Sequence, residues 1–356
     1  LGLDAEFANF QRDDSVDGLR YDVRPRVGLG TDRGAWYARS EASYRYTHYA
    51  LRDTAPGSDD TLNRDIPSFS AESGLRFERI LGNGWLQTLE PRAFYLYNGF
   101  DSQDDLPLFD TGIPDLHFER LFADNRFVGN DRIGDANQIT LGLTSRFIDA
   151  DDGRTVVKLD LGRIYGFSPI DVRLPNRSPI GFGERHSDIV GNAEYAPLPY
   201  LRSSLTLQYD PQRDRFNRGT VRAGYRDDTG RRLDLGYRYY RDFRSADIST
   251  ATGSTGPFET LEQTDILLEV PVSERLKLFG RWNYSLENSQ SVQTLGGLEY
   301  RPSCCWAFRG AWQRFVRNDE GEYDTAILFQ IELTGLGRFG DKVERLLERD
   351  TVEIDS

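Results

Sequence analysis

The sequence predicts an all-β protein, a transmembrane antiparallel up-and-down β-barrel, with about sixteen strands in this chain. Apolar and polar residues alternate with a two-residue period along almost the whole chain. Short and long connections alternate between the periodic segments, and the composition combines 12% aromatic residues with 34 glycines. No run approaches the ~20 apolar residues that a transmembrane helix needs. We therefore expect strands to cross the membrane.

The two-residue period gives the two faces of each strand opposite chemistry. In the segment 36–49, one face carries Trp36, Ala38, Ala42, Tyr44 and Tyr46, and the other carries Arg39, Glu41, Ser43, Arg45 and Thr47. Successive side chains of a strand point to opposite faces, so the pattern is typical of a sheet with one apolar face. The predicted strands are 1–12, 19–30, 35–51, 68–80, 85–99, 137–148, 155–167, 187–197, 200–209, 217–226, 231–241, 262–272, 275–286, 292–302, 304–316 and 324–335.

The connections predict which ends of the strands face outward. Short turns at 30–33, 81–84, 150–153, 197–199, 227–230, 272–274 and 302–303 alternate with longer loops at 13–18, 52–67, 100–136, 168–186, 210–216, 242–261, 287–291 and 317–323. Outer-membrane barrels have short periplasmic turns and long external loops. A soluble propeller, solenoid or sandwich has no reason to alternate in this way, and the chain shows no repeat of fixed length.

The polar face of the strands is expected to line a wet lumen, and the aromatic-rich face to meet lipid. Side chains of both charges on this face could form a path for phosphorylated sugars or a contact surface for a plug. The alternative is that they are the ordinary polar interior of a barrel. The predicted lumen-facing residues are Arg39, Glu41, Arg45, Glu90, Arg92, Lys158, Asp160, Asn192, Glu194, Arg222, Arg226, Arg238, Glu269, Arg281, Gln330 and Glu332.

The loop 100–136 is the longest predicted connection, and its aromatic residues argue against disorder. It could fold over or into the barrel mouth, as a cap or as the seat of a plug, or it could be an ordinary packed surface loop. Its candidate residues are Phe109, Asp110, Asp124, Asn125, Arg126, Phe127, Asp131, Arg132 and Asp135.

Composition and motifs argue against several functions, although the fold by itself does not exclude an enzyme. The net charge of -13 argues against a nucleic-acid partner. The three histidines are scattered, and no spacing suggests a zinc site, so no metal or cofactor is predicted. No Gly-x-Ser-x-Gly elbow is present, so no catalytic residue and no enzyme activity are predicted.

Prolines and the chain ends set further expectations. Pro25 and Pro91 lie within predicted strands, where each should mark a bulge or a weakened pairing. Residues 1–340 are expected to form the barrel segment. The tail 341–356 could be a short periplasmic helix, with Val343 and two leucines at helical spacing, or a frayed terminus. The chain lacks methionine and a signal peptide, so we expect it to be a segment of a longer precursor.

Cys304 and Cys305 are adjacent at the start of a predicted strand. Neighbouring cysteines rarely bridge each other, and strand geometry points the two thiols to opposite faces. Each could therefore reach a different partner outside this sequence. If the last strand runs inward, the pair lies at the periplasmic end, where disulfides form.

Several stretches resemble one family. They are Leu-Gln-Thr-Leu-Glu-Pro-Arg-Ala-Phe-Tyr-Leu-Tyr at 86–97, Leu-Pro-Leu-Phe-Asp at 106–110, Arg-Leu-Phe-Ala-Asp-Asn-Arg-Phe at 120–127, Asp-Arg-Ile-Gly-Asp-Ala-Asn-Gln at 131–138, Leu-Gly-Leu-Thr-Ser-Arg at 141–146, and the cysteine pair before Trp-Ala-Phe-Arg at 306–309. With these motifs, the chain resembles the C-terminal barrel region of the lipopolysaccharide-assembly outer-membrane protein family, also called the organic solvent tolerance family.

The resemblance implies a translocon of the Gram-negative outer membrane that inserts lipopolysaccharide into the outer leaflet. It implies a barrel of twenty-six strands, a periplasmic jellyroll, and disulfides from Cys304 and Cys305 to the N-terminal region. Sugars would pass through the lumen, and lipid would leave by a lateral gate between the first and last strands. Implied partners are lipopolysaccharide, a lipoprotein plug, periplasmic bridge proteins and the barrel-assembly machinery. The last strand would contribute Thr325, Ile327, Phe329, Ile331 and Leu333 to the gate.

A passive porin or ligand-receptor barrel is the alternative. The cysteine pair distinguishes the two hypotheses, because a porin needs no covalent tie to a periplasmic domain.

Overall fold

The computed structural model describes residues 1–12, 16–54, 57–82, 84–174, 183, 185–243, 259–302, 305–317, 322–341 and 343. These residues form eighteen strands and one 3₁₀ turn, and among them no helix is long and apolar enough to cross a membrane. The strands are β1 (Gly2–Phe10), β2 (Asp17–Asp32), β3 (Trp36–Arg52), β4 (Thr61–Leu75), β5 (Phe77–Leu81), β6 (Trp85–Asn98), β7 (Ala136–Asp149), β8 (Thr155–Gly166), β9 (Ile189–Leu198), β10 (Leu201–Asp210), β11 (Arg215–Arg226), β12 (Arg232–Phe243), β13 (Glu259–Ser273), β14 (Leu276–Ser285), β15 (Gln290–Tyr300), β16 (Trp306–Val316), β17 (Tyr323–Leu333) and β18 (Gly337–Gly340).

The strands form one antiparallel up-and-down sheet. Each strand pairs with the next one along the chain, except that β4 and β5 both pair with β6. All sixteen predicted segments are strands, so the predicted fold class is confirmed. The structure adds the division between β4 and β5 and the short strand β18.

The two prolines weaken the pairing without forming a bulge. Pro25 pairs with Leu3 of β1, but the β2–β3 ladder skips residues 24 and 25 and resumes in the same register. Pro91 pairs with Leu143 of β7, and the break between β4 and β5 lies opposite Pro91, again with the register unchanged. Each proline therefore interrupts the ladder on one side only, as expected from its missing N–H group.

The alternation of connection length is not strict. Six of the predicted long loops stay longer than the turns at the opposite ends of the strands, but those at 211–214 and 286–289 have only four residues. The strands on either side of these two loops extend beyond their apolar segments, because the backbone hydrogen bonds between strands continue through polar residues. The turns 150–154 and 227–231 have five residues and are longer than these two loops.

A soluble protein buries its apolar side chains and exposes its polar ones. This sheet does the reverse. The outer face exposes large apolar side chains, for example Leu161 at 55% and Ile327 at 67%. The inner face buries polar side chains, for example Arg20 and Asp160. An exposed apolar surface that extends over nearly every strand requires an apolar solvent, as lipid would provide.

The predicted last strand is not the last strand of the sheet. β17 is followed by β18, which pairs with its residues Gln330–Leu333. The five predicted gate residues alternate along β17 on the outer face, where Ile327, Phe329 and Ile331 are exposed. β18 was missed because four residues, two of them glycines, are too short to show a period.

Replacing Leu161 by Arg should lower the free energy of unfolding in lipid by about 2–4 kcal/mol, because the charge would face hydrocarbon near the middle of β8. The matched control Leu161→Ile should cost less than about 1.5 kcal/mol. The measurement is a denaturant titration of the full-length protein refolded in vesicles. Equal effects of the two substitutions would contradict the outward orientation.

Candidate functional site

The connection between β6 and β7, residues 99–135, is packed against the inner face of the sheet. We call it the long loop. At one end, the Asn130 Nδ2 donates to Glu6 of β1 at 2.7 Å. At the other, the Tyr240 hydroxyl of β12 donates to Asp115 at 3.4 Å. The loop therefore makes contacts from β1 to β12.

These contacts require a curved sheet. Twelve flat strands would span roughly 50 Å at ~4.8 Å per strand. Asp115 and Asn130 are separated by fifteen residues, which would have to be almost fully extended to cover that distance. They instead contain the 3₁₀ turn Phe118–Phe122. Strands β1–β12 therefore curl around the long loop.

The first anchor of the long loop is a buried charge cluster around Arg20 of β2. The Arg20 guanidinium binds Asp131 at 2.5 Å, Asp110 at 2.6 Å and Glu6 at 2.5 Å. Both Arg20 and Asp131 are almost completely buried. Asp131 also accepts the backbone N–H groups of Phe109 and Asp110, at 2.6 and 2.8 Å. The cluster thus joins β1, β2 and two distant parts of the loop.

A second arginine, Arg64 of β4, holds the backbone of the same part of the loop. Its guanidinium donates to the carbonyl oxygens of Asn130 and Asp131, both at 2.8 Å. It also donates to the Thr47 hydroxyl at 2.7 Å and to Gln103 at 3.1 Å. A fixed fork of donors can satisfy several buried acceptors at once, which is the property that distinguishes Arg from Lys.

The pKa values of the two loop carboxyl groups in the charge cluster, Asp110 and Asp131, shift in opposite directions. Burial opposes the ionisation of Asp110, but hydrogen bonds from Arg20 outweigh it and lower the pKa of Asp110 to about 2. Burial raises the pKa of Asp131, and the carboxyl group of Asp110 acts in the same direction, whereas the hydrogen bond from the Asp110 backbone N–H opposes the rise. Two carboxyl groups that share one arginine cannot ionise equally easily.

The second anchor is apolar. Phe118, Leu121 and Phe122 of the 3₁₀ turn pack in one buried cluster with inner-face residues of β6, β8 and β9. The strand residues of this cluster are Phe94, Leu96, Ile164 and Val190.

Two inner-face glycines make room for this turn. A Cβ atom at Gly142 would lie 2.5 Å from the ring of Phe122, and one at Gly162 would lie 2.8 Å from Leu121. The turn can therefore approach β7 and β8 only where side chains are absent.

The connection between β8 and β9 is attached to the long loop. Arg126 binds Asp135 at 2.8 Å, and Asp135 accepts the backbone N–H groups of Asp171 and Val172, both at 3.0 Å. Burial opposes ionisation of Asp135, but the hydrogen bonds from Arg126 and these N–H groups lower its pKa. Residues 171–172 of this connection are therefore fastened to the long loop.

The remaining candidate residues of the long loop are packed in the same unit. Phe109 stacks on Phe10 with ring centroids 4.3 Å apart. Asp124 binds Arg24 at 2.9 Å, and Arg132 donates to the carbonyl of Leu106 at 2.7 Å. The Asn125 side chain accepts the N–H of Gly134 at 2.9 Å. Phe127 is buried with Val172 and Leu174. All nine predicted residues thus lie in one packed unit.

The strand positions place every predicted lumen residue on the inner face, and most of those residues form ion pairs. Arg39 and Arg92 both bind Glu72, at 2.7 and 2.9 Å. Arg309 binds Glu299 at 2.6 Å and Glu332 at 2.9 Å. The other pairs are Glu41 with Arg24, Arg45 with Asp22, Glu90 with Arg146, Lys158 with Asp160 and Glu194, Glu269 with Lys277, and Arg281 with Asp265.

The cysteine pair is described only in part. Cys304 lies outside the described residues. Cys305 is exposed directly before β16, and its carbonyl accepts the N–H of Thr334 at 2.9 Å. Residues 344–356 of the tail also lie outside the described residues. In the part of the chain that the structure describes, no cluster of His, Cys, Asp and Glu could hold a metal ion.

Sequence reasoning missed the strand residues that hold the long loop, above all Arg20 and Arg64. The sequence did contain a signal for their orientation, because Arg20, Asp22 and Arg24 occupy every second position of β2 and so share one face. The partners of Arg20 could not be found, since Asp131 is 111 residues away in sequence.

Replacing Arg20 by Met should destabilise the fold by about 3–5 kcal/mol, because it leaves the Asp131 carboxyl buried without its partner. Arg26→Met is the control on the same strand. Arg26 is half-exposed and binds Asp4 at 3.4 Å, so this change should cost no more than about 1 kcal/mol. Denaturant titration and proteolysis of the long loop in the full-length protein measure both. Equal costs would refute the anchoring role of Arg20.

The hold on the long loop should weaken in acid. The lowered pKa of Asp110 adds stability above its ordinary value of 3.8, and this stability is lost as pH falls through about 2. Pepsin cleavage of the loop, normalised to an unfolded peptide, should therefore rise between pH 4 and about 2. Asp110→Asn should cleave readily already at pH 4, with a flatter profile. An unchanged profile would exclude Asp110 as the titrating group.

Comparison with known proteins identifies the family. A family profile described as LPS transport system D matches residues 1–282. The LPS-assembly protein LptD of Nitrosococcus oceani is 36% identical over 363 aligned positions, which cover 99% of this chain and 46% of that protein. The protein of the same name from Alkalilimnicola ehrlichii is 36% identical over 352 positions, covering 94% of this chain and 44% of that protein. The chain spans about half the length of the curated relatives it matches.

Among solved structures, a mutant of the ferric enterobactin receptor from Pseudomonas aeruginosa aligns over 89% of this chain and 53% of that chain, with 11% identity and a TM-score of 0.40. A mutant porin from Rhodopseudomonas blastica aligns over 96% of this chain and 99% of that chain, with 12% identity and a TM-score of 0.32.

The match to the family profile covers most of the chain, and the similarity to the two LPS-assembly proteins extends over nearly all of it. This protein therefore belongs to the LPS transport system D family.

Proposed function

We propose that this chain is the membrane-embedded C-terminal part of an outer-membrane translocon that inserts lipopolysaccharide into the outer leaflet. The observation that carries the proposal is the family match over residues 1–282. The relatives that share this region are named LPS-assembly proteins. The family is one of transport, so the prediction of a protein that is not an enzyme holds, and its place in the Gram-negative outer membrane is as predicted.

The polarity of the two faces supports this function. Lipopolysaccharide has phosphorylated sugars and acyl chains, which need different solvents. An inner face that carries ion pairs such as Arg92 with Glu72 offers a polar route for the sugars. The exposed apolar outer face suits the lipid. Sugars would move through the lumen while lipid leaves sideways, by a gate between the first and last strands of the complete barrel.

We propose β17 as one lip of that gate. Its residues Ile327, Phe329 and Ile331 expose apolar side chains on the outer face. The edge of β17 that faces away from β16 is already paired with β18 over Gln330–Leu333. A strand from the N-terminal half would therefore have to pair with the remaining part of β17, or displace β18. A short seam opens at less cost than a full ladder, because fewer hydrogen bonds must be broken.

The partners of the protein are proposed on the same basis, the match to the family. The proposed partners are a lipoprotein plug inside the barrel, periplasmic bridge proteins that dock on an N-terminal domain, and the barrel-assembly machinery. We propose that Cys304 and Cys305 bridge to that N-terminal domain, which peptide mass spectrometry of the full-length protein without reduction tests directly. The long loop lies against the inner face of β1–β12, so we propose that it acts as a cap and as one wall of the plug's seat.

Depletion of the full-length protein from cells should strongly reduce the lipopolysaccharide that antibodies reach on intact cells, while total lipopolysaccharide stays constant. Re-expression should restore the surface signal, and depletion of an unrelated porin is the control. A passive porin or receptor would give the opposite result. Uptake of a small solute would then fall on depletion, and surface lipopolysaccharide would be unchanged.

A further inference from the structure

The inner face changes character at β13–β17. Leu267, Phe279, Leu295 and Ala311 are all at most 5% exposed and pack in one cluster, with Leu328 half-buried beside them. We call these five residues the inner apolar patch. The other apolar area of the inner face described above, around Phe94 and Val190, is covered by the 3₁₀ turn of the long loop, so this second apolar area also needs a cover.

The strand register makes the patch continuous. Leu267 and Leu295 lie in one row, on either side of Arg281. Phe279, Ala311 and Leu328 lie in the next row, with Gly297 between the first two. A Cβ atom at Gly297 would lie 2.6 Å from the Phe279 ring, so the ring lies across this glycine. The glycine lets the ring lie flat and widens the apolar area.

Something must cover the patch, because apolar side chains that face a polar lumen would otherwise meet water. The contacts of the long loop extend from β1 to β12 among the described residues, so the loop does not reach it. Among the described residues, the cluster contains one that lies outside the sheet. Val343 is completely buried with the patch.

The path of the chain explains how Val343 reaches the inner face. After β18, Asp341 continues along the free edge of β17. Its N–H donates to the carbonyl of Phe329 at 2.8 Å, and its carboxylate accepts the N–H of Phe329 at 2.9 Å. Two residues later, Val343 is packed among inner-face side chains. The chain thus turns from the sheet edge onto the inner face.

We propose that the inner apolar patch is the binding site of the chain's own C-terminal segment, which begins at Val343. In the sequence, Leu346 and Leu347 follow Val343 at spacings of three and four residues, a pattern that predicts one apolar face of a helix. Glu344, Arg345, Glu348 and Arg349 fall at other positions, where they suit a polar lumen. The proposal that this segment covers the patch does not depend on the proposed transport function.

The experiment is site-specific photocrosslinking in the full-length protein. A benzophenone amino acid replaces Gln313, an inner-face residue that pairs with Leu295 beside the patch and is not part of the buried cluster. Peptide mass spectrometry should find crosslinks to residues 343–356. The same probe at the neighbouring Trp312, which points outward, is the control and should give none.

Variants of the segment sharpen the test. Changing Leu346 and Leu347 together to Glu should reduce the crosslink by about tenfold or more, because both side chains would lose apolar contact. Changing Arg345 and Glu348 together to Gln is the matched control and should leave the crosslink intact. Crosslinks from position 313 to a second copy or to another protein would overturn the proposal. A yield no higher than that from position 312 would also overturn it.

Discussion

Backbone hydrogen bonding is the constraint on which the rest of this structure depends. A chain surrounded by lipid must satisfy its N–H and C=O groups internally, and pairing each strand with its neighbour in sequence does this with short connections. The register also keeps polar side chains on one face, since a slip of one residue would turn every one of them toward lipid. Pro25 and Pro91 are tolerated because each loses pairs on one side and leaves the register unchanged.

Once the strands are paired, the inner face must satisfy its own polar groups. Neighbouring strands do part of this, as in the pairs of Arg309 with Glu299 and Glu332. The long loop does the rest on the side of β1–β12. Its Asp131 and Asp110 neutralise Arg20, and its backbone carbonyls accept the donors of Arg64. Such buried pairs are weak evidence for net stability, but they strongly favour one arrangement of the loop over others.

The sequence was sufficient for the strands and their faces because a two-residue period is a local property. It was insufficient where local signals end. β18 is too short and too rich in glycine to show a period. The loops at 211–214 and 286–289 were overestimated because the ladder extends through polar residues. The composition of the long loop indicated order, but its partners on β2 and β4 depend on contacts between residues far apart in sequence.

The position of the long loop within the chain has a consequence for assembly. The loop precedes β7–β12 in sequence, yet it contacts residues on them as far as Tyr240 of β12. If the hairpins are added in chain order, β7–β12 close around a loop that is already present. Gly142 and Gly162 leave space for it on the first two of these strands. The loop would then act as an internal template that sets the curvature of the growing wall.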